Sequence, residues 1–543
     1  MAASASARAA AYITTPIYYV NDRPHIGHAY TTTLCDIWAR AMRQQGRDVF
    51  FLTGTDEHGA KVEKSAQAHN MSPQAWADQN AAEFQRVLKV FGLTNDDFIR
   101  TTQPRHEKQV QAFVKRLLDN GSVYLGTFEG WYDEGQEEYY TETRAKELDY
   151  KSPISGRPLT RATEQNYYFR LSAFQQRLEK FFADNPGFVQ PSGRFNEVLG
   201  RLRDGLQDVP VTRTNFTWGI PFPGDEKHVI YVWIDALFNY ITALGYGDPQ
   251  GAFAGPLHAD RAHYWPAAYH VIGKEILWFH AVIWPALLMA LELPTPRCIH
   301  AHSFWISDGQ KMSKSLGNFV DLPTIEGYFA TYGLDAWRWY MATQGPLHAS
   351  DADFRAQHFH DTYTADLVNV VGNCSSRVTA MIGKYFEGRM PQDATGGGPW
   401  PARCAEAVAE WQRAMEAFDL ARAAAAPMKL LREVDSFINE TEPFKVAKDP
   451  ARAGELAAIL GQCAETVRVA GVLLEPFLPG KMAELHAALG QAGGAAGGAA
   501  GGAAGGAAGG AASADWQARA AWGGLKPGTA LTKVALFPRV TLA

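Results

Sequence analysis

Residues 12–52 constrain the fold more than any other part of this chain. Residues 12–20 are aromatic, β-branched and Thr-rich, the composition of a β-strand, and Pro24 breaks it. From Gly27 onward the period changes. Leu34, Ile37, Trp38, Ala41 and Met42 recur at helical spacing, and Gly46 supplies a C-terminal stop. Val49, Phe50, Phe51 and Leu52 then run without a polar break, as a parallel strand covered on both faces does. Strand, helix and strand in this order make a β-α-β unit, and a doubly wound parallel sheet is its usual setting. Similar units are expected at residues 229–233 and 269–272. The fold class is therefore α/β.

At roughly 150 residues per domain, 543 residues suggest about three or four domains. The expected division is a first half of the sheet domain at 1–118, an insertion at 119–215, a second half at 216–300, a region at 301–360 with a hairpin turning at Asp308-Gly309, and an α-helical domain at 361–543. The insertion is rich in Glu, Tyr and turn residues. Residues 490–512 repeat Gly-Gly-Ala-Ala, which cannot bury a core and reads as a tether or surface loop. A compact ending follows, with Trp516, Trp522 and a strand-like stretch at 531–537.

Five cysteines, Cys35, Cys298, Cys374, Cys404 and Cys463, include no C-x-x-C pair. An odd count without pairs argues against a disulfide framework and for a reducing compartment. The apolar stretch 276–291 contains His280 and Pro285 and falls short of the roughly 20 clean residues of a membrane span, so a buried helix is expected. The N-terminus lacks the apolar core of a signal peptide. A cytoplasmic protein with no membrane partner is the expectation.

Two motifs carry phosphate chemistry. His25-Ile26-Gly27-His28 falls between the first strand and its helix. In a doubly wound sheet the strand ends form the binding crevice, and a helix start offers free N–H groups to phosphate. Two imidazoles there can hydrogen-bond an α-phosphate, and Gly27 lets a flat base lie against the backbone. Alone, H-x-G-H equally describes two polar residues opening a helix. The second motif is Lys311-Met312-Ser313-Lys314-Ser315-Leu316-Gly317-Asn318, expected on a loop. Lys311 and Lys314 can close on the outer phosphates as pyrophosphate departs. A lone Lys/Ser cluster is otherwise ordinary solvated surface.

Together the motifs resemble the signature pair of the class I aminoacyl-tRNA synthetases, over nearly the whole chain apart from the leader and the Gly/Ala repeat. The resemblance implies a Rossmann catalytic domain with an inserted connective domain and a C-terminal α-helical bundle. It also implies adenylate formation from ATP with Mg2+, then acyl transfer to tRNA, with His25, His28, Lys311 and Lys314 catalytic. Gly27, Met312 and Ser313 complete the nucleotide contacts from the motifs.

Further segments resemble the methionyl-tRNA synthetase family: Thr14-Thr15-Pro16-Ile17-Tyr18-Tyr19-Val20-Asn21, Leu52-Thr53-Gly54-Thr55-Asp56-Glu57-His58-Gly59, Val232-Trp233-Ile234-Asp235-Ala236-Leu237-Phe238-Asn239-Tyr240, and Ile272-Gly273-Lys274-Glu275-Ile276-Leu277-Trp278-Phe279-His280. By that resemblance Ile17, Tyr19, Trp233, Ala236, Leu237, Tyr240, Ile276 and His280 enclose the methionine side chain, and Asp56 takes its ammonium. Gly273 and Glu275 meet the ribose of ATP. Arg213 matches a position on the substrate-carboxylate side. Aromatic walls suit a polarizable thioether, although an aromatic stripe at helical spacing is as readily plain core. The implied activity is L-methionine activation and transfer to tRNA(Met), initiator tRNA included. The rival readings are another class I synthetase or a non-synthetase nucleotidyltransferase. The insertion is too small for an editing domain.

Many members of the family carry a zinc knuckle in the insertion. Its flanks are present as Glu129-Gly130-Trp131-Tyr132 and Gly156-Arg157-Pro158-Leu159. Where paired cysteines would sit, this chain has Asp133-Glu134-Gly135-Gln136 and Ser152-Pro153-Ile154-Ser155. Structural zinc needs about four Cys or His ligands, so a metal-free insertion is expected, held by hydrogen bonds and apolar packing.

In the helical domain Leu367, Val370, Val371, Cys374, Val378 and Met381 form an apolar stripe, while Asn369, Asn373 and Arg377 share another face at i, i+4 and i+8. Two amides and a guanidinium can read unstacked base edges. The family resemblance makes this row the anticodon contact of a tRNA-binding domain, with Phe444 where a stacking tryptophan usually stands. Residues 361–490 hold 13 Lys+Arg against 17 Asp+Glu, so RNA recognition must be local. A monomer with no DNA partner is expected.

Overall fold

The computed structural model describes residues 8–20, 24–133, 138–140, 142–246, 261–307, 309–312, 318–392, 398–491 and 516–541. Asn21, Glu134, Gly135, Gln136, Asp308, Ser313, Lys314, Ser315, Leu316, Gly317 and the Gly/Ala repeat from residue 492 lie outside the described residues.

The strand Ala10–Thr14 lies at the centre of a parallel sheet. It pairs with Asp48–Asp56 on one side and with Ala268–Gly273 on the other. Tyr18–Tyr19 and Asp97–Arg100 extend the first side, and Cys298–His302 and Val189–Gln190 extend the second. The chain thus builds outward in both directions. Its topological switch falls between Ala10–Thr14 and Ala268–Gly273, so a crevice opens beyond Thr14 and Gly273. The helix Ile26–Gln44 makes the expected crossover. Gly46, at φ +80°, turns the chain back in a left-handed conformation that costs glycine no steric strain.

Several elements differ from the sequence expectation. The first strand ends at Thr14 and does not run to Val20. Pro16 has no N–H to donate to a ladder, and pairing resumes only at Tyr18–Tyr19. At 229–233 only Val229–Ile230 is a strand. It pairs antiparallel with Thr212–Arg213, off the central sheet, and helix Val232–Leu237 starts at once. Conversely, Val189–Gln190, from the inserted span, completes the edge of the central sheet. Residues 531–537 are not a strand. Leu531 and Thr532 donate to the carbonyls of Gly388 and Ala488, and Val534 donates to the Thr379 hydroxyl. Among the described residues the pairing here goes no further than an isolated bridge between Arg389 and Ala530, so this stretch straps the helices instead.

The two faces of the sheet feed two cores. Tyr12, Phe50 and Leu52 pack on one. Ala11, Ile13 and Phe51 pack on the other, which continues through helix Ile26–Gln44 into the C-terminal helices without a seam. Polar bonds cross the same junction. Trp38 Nε1–H donates to Met415 O at 3.0 Å and Gln44 Nε2–H to Val472 O at 2.7 Å. Asp36 is buried between Arg40 at 2.7 Å and Arg338 at 2.8 Å. Burial opposes its charge, but the two guanidiniums hold the carboxyl well below the usual carboxylate range. The helical domain is thereby fixed to the helix that opens with His25.

Among the described helices, the span Pro450–Leu474 is long and apolar enough to cross a membrane, yet 94% of its most apolar window is buried inside the protein. It is the central helix of the bundle. Residues 279–290, within the apolar stretch 276–291 noted in the sequence, form a shorter apolar helix that is mostly buried.

In the insertion, Val123–Asp133 pairs antiparallel with Thr160–Phe169 and with Glu138–Tyr140. Tyr140, Ala145 and Leu159 form a small core with Trp131, Leu148 and Tyr150 against it. At the position of the second cysteine pair, Ser152 is buried. Its Oγ accepts from Ser155 N at 3.1 Å and its carbonyl from Gly156 N at 2.9 Å.

Candidate active site

His25 and His28 close the first helix on itself. Gly27 N–H donates to His25 Nδ1 at 3.1 Å, and His25 N–H donates to His28 Nδ1 at 3.2 Å. Because both Nδ1 atoms accept, the neutral rings carry their protons on Nε2. The rings sit 3.9 Å apart. Burial, and secondarily His25, hold the His28 pKa well below its ordinary value. The pair is therefore a set of uncharged N–H donors at a helix N-terminus. A Cβ on Gly27 would lie 3.0 Å from His25 Cε1, so the ring rests where any other residue would crowd it.

The residues that follow the second motif come to the same place. Ser307 pairs with Gln310 and Ile306 with Lys311 in a tight hairpin, with Gly309 at φ +73°. Lys311 thus ends a strand, where a loop was expected. Beyond the motif, His25 bridges Asp321, Ile26 N–H donates to Val320 O at 3.1 Å, and Phe319 packs edge-on to His25 at 5.3 Å. Motifs far apart in sequence are zipped together by their flanks.

The expected amino-acid pocket gathers at the switch point. Tyr19 is paired with Asp56 in the sheet. Ile17, Tyr19, Trp233 and Ile276 are half-buried on the rim of one core, over the buried Ala236, Leu237, Tyr240 and His280. Trp233 stacks on Phe279 at 4.2 Å. His280 Nδ1–H donates to Ile276 O at 2.9 Å, so its Nε2 accepts from the Tyr240 hydroxyl at 2.8 Å. Burial lowers the His280 pKa to about 4, against the pull of the Ile276 carbonyl. His280 is neutral at pH 7 with both nitrogens occupied. Asp56 is buried and near enough for its carboxylate to contribute to the raised pKa of Tyr240, whose main cause is burial.

Gly273 ends the strand Ala268–Gly273, and a Cβ there would lie 2.3 Å from Glu275 Oε2. The Glu275 carboxylate can fold over this position only because it is glycine. Arg213 is buried with its guanidinium 3.9 Å from the Tyr231 ring.

The sequence reading passed over several polar groups at the crevice. His302 Nδ1–H donates to Ser303 O at 2.8 Å, leaving Nε2 for Thr31 on the first helix at 2.7 Å. Lys274 pairs with Asp351 at 2.6 Å. His58 and His106 both bind Asp235. Their only sequence signal was a histidine within each strand-end or helix segment.

On the helical domain, Asn369 and Asn373 are exposed and Arg377 is half-buried, with Leu367, Val371, Cys374 and Val378 buried behind them. Arg377 Nη2–H donates to Asn439 Oδ1 at 2.8 Å. Phe444, 46% exposed, follows a left-handed turn at Glu442. Arg377, at one end of the row, thus reaches the last turns of helix Leu420–Thr441, which Phe444 follows.

A doubly wound sheet with the first motif at its switch point and the flank of the second zipped to it defines a class I aminoacyl-tRNA synthetase architecture, and the family model described as "tRNA synthetases class I (M)" matches residues 11–147 and 144–379. The methionine–tRNA ligase of Halalkalibacterium halodurans is 43% identical over 88% of this chain and 73% of its own length. That of Streptomyces coelicolor is 42% identical over 97% and 96%. The structure of Mycobacterium tuberculosis methionyl-tRNA synthetase in complex with methionyl-adenylate superposes with a TM-score of 0.86 at 33% identity, covering 97% of this chain and 99% of that one. The chain belongs to the methionine–tRNA ligase family.

Proposed function

We propose that this crevice activates L-methionine with ATP and passes it to tRNA(Met), initiator tRNA included. In the first step the methionine carboxylate attacks the α-phosphorus, a P–O bond forms, and the α–β bond breaks to release pyrophosphate. In the second, a hydroxyl of the terminal adenosine attacks the carbonyl carbon and AMP leaves. His25 and His28 donate Nε2–H to the α-phosphate as charge builds on it. Lys311 and Lys314, with Met312 and Ser313, cover the departing pyrophosphate. Gly27 makes room for the adenine, and Gly273 and Glu275 take the ribose. Asp56 holds the methionine ammonium. Ile17, Tyr19, Trp233, Ala236, Leu237, Tyr240, Ile276 and His280 enclose the thioether.

The observation that carries this reading is the neutral His25/His28 pair, zipped through Asp321 to the end of the Lys311 motif. Mg2+ would arrive on the phosphates and neutralise their charge, a mode that needs no dedicated protein cage. Among the described residues no group of three or more His, Cys, Asp or Glu has an arrangement that could hold a metal ion. The insertion tip is metal-free in this proposal, with the Trp131–Tyr150 core and the Ser152 turn in place of a zinc knuckle. Asn369, Asn373, Arg377 and Phe444 bind the anticodon. A cytoplasmic monomer is the proposed working form, and five free, buried thiols fit a reducing compartment.

The test is Lys314→Ala in ATP–pyrophosphate exchange. Adenylate formation is expected to fall about 100-fold or more with methionine affinity nearly unchanged. A large loss of methionine affinity instead would contradict the assignment of that loop to the phosphates.

A further inference from the structure

A buried polar cluster stands directly behind the amino-acid pocket. Asp235 is fully buried in helix Val232–Leu237, between Trp233 and Ala236. One carboxylate oxygen lies 2.7 Å from His58 Nδ1 and the other 2.6 Å from His106 Nε2. His58 stands two residues beyond Asp56 at the end of the third strand in sequence, Asp48–Asp56. His106 comes from helix Pro104–Asp119, and its Nδ1 is 2.8 Å from the Thr242 hydroxyl, beyond Tyr240. Both sides of the expected pocket, the Asp56 strand end and the Trp233–Tyr240 helices, are therefore tied to one carboxylate.

We propose that His58, Asp235 and His106 form a positioning clasp that sets the width of the methionine pocket, holding Asp56 and the Trp233 wall at the spacing one unbranched side chain needs. The proposal rests on the pocket assignment above. Because Asp235 only accepts, His58 must present Nδ1–H and His106 Nε2–H. The Thr242 hydroxyl, 2.8 Å from His106 Nδ1 and 3.3 Å from the Asn239 carbonyl, lies within donating distance of both and sits closer to the imidazole. The charged groups facing His58 are Asp235, Glu107 at 3.8 Å and, more distantly, Glu57. Burial opposes a charge on His58, but these carboxylates outweigh it and raise its pKa above the ordinary value. Asp235 is pushed up by burial and held below its ordinary range by the two imidazoles. None of the three residues belongs to the expected contact set for methionine or ATP. Their effect on the reaction passes through Asp56 and Trp233.

The experiment measures KM for methionine, KM for ATP and kcat in pyrophosphate exchange for His58→Ala, His58→Asn and Thr242→Val. Asparagine keeps an N–H donor near the Nδ1 position. His58→Ala is expected to raise KM for methionine about tenfold, with kcat and KM for ATP within about twofold of the parent, and to narrow the preference for methionine over ethionine. His58→Asn should restore the parent KM to within about twofold. Thr242→Val, nearly isosteric and expected to fold, should raise KM for methionine about threefold by stripping His106 of its partner. Equal losses in His58→Ala and His58→Asn, or an unchanged methionine KM in both His58→Ala and Thr242→Val, would overturn the clasp. A rise in KM for ATP in place of methionine would overturn the pocket assignment, and the clasp with it. Should His58→Ala fail to fold, the Thr242→Val result decides.

Discussion

The proposed amino-acid pocket and the exposed row on the helical domain treat polar side chains in opposite ways. In the pocket, His280, Tyr240 and Ile276 O satisfy one another inside the protein before any ligand arrives. On the row, Asn369 and Asn373 face solvent and Phe444 stands 46% exposed. The first is preorganised and desolvated, so losing one group leaves its partner buried and unpaired. The second is hydrated when free, so losing one group costs only the net value of the proposed contact to RNA. The difference predicts steep effects in the crevice and shallow ones on the row.

Acid should separate the two regions most strongly. Burial lowers His280, His300 and His302 each to about 4, and His270 also well below its ordinary value. Above about pH 6.5 neither folded nor unfolded chains carry charge at these sites. Between there and about 4 the unfolded chain takes up protons that the folded one refuses, so stability falls as pH falls. Each histidine contributes a slope of at most about 1.4 kcal/mol per pH unit inside that window, and an ordinary domain has only about 5–15 kcal/mol to lose. Residues 361–490 contain one histidine, His486. Hydrogen exchange on lowering the pH from 6.5 to 4.5 should open strands Ala268–Gly273 and Cys298–His302 before helix Ala453–Leu474. Simultaneous opening would erase the contrast.

Next in size is His28→Ala. Removing one preorganised donor should lower kcat for pyrophosphate exchange about 100- to 1,000-fold, with tRNA binding unchanged in a filter assay. On the row, Asn373→Ala should lower kcat/KM for tRNA charging about fivefold, the scale of one exposed hydrogen bond, and leave exchange untouched. Smallest is Phe444→Trp, expected to tighten tRNA binding about twofold through added stacking area. A loss of exchange in either variant would mean that the row acts on the crevice.

The parts legible in the sequence were those with local causes. The β-α-β unit followed from periodicity and from Gly46, and the two phosphate motifs pointed to the crevice that their strand ends form. What was missed had causes elsewhere in the chain. Residues 229–233 have strand composition, but only two of them find a partner edge before Tyr231 opens a helix. Val189–Gln190 is too short to show a period. The extended stretch at 531–537 reads as a strand because nothing local reveals that no edge awaits it. The π-helical turns at Phe279–Ile283 and Tyr363–Gly372 leave no propensity signal. The site followed the same rule. The segments around Tyr19, Asp56, Trp233 and His280 were put forward as the pocket through family resemblance, a role that remains a proposal, whereas the Asp235 cluster draws on three distant segments and has no spacing to read.

ATP–pyrophosphate exchange with each of the twenty amino acids tests the central claim most directly. Strong exchange with methionine is expected, about 100-fold or more above leucine or isoleucine, because branched chains must enter a walled slot shaped for an unbranched one. Exchange with another amino acid and none with methionine would contradict it.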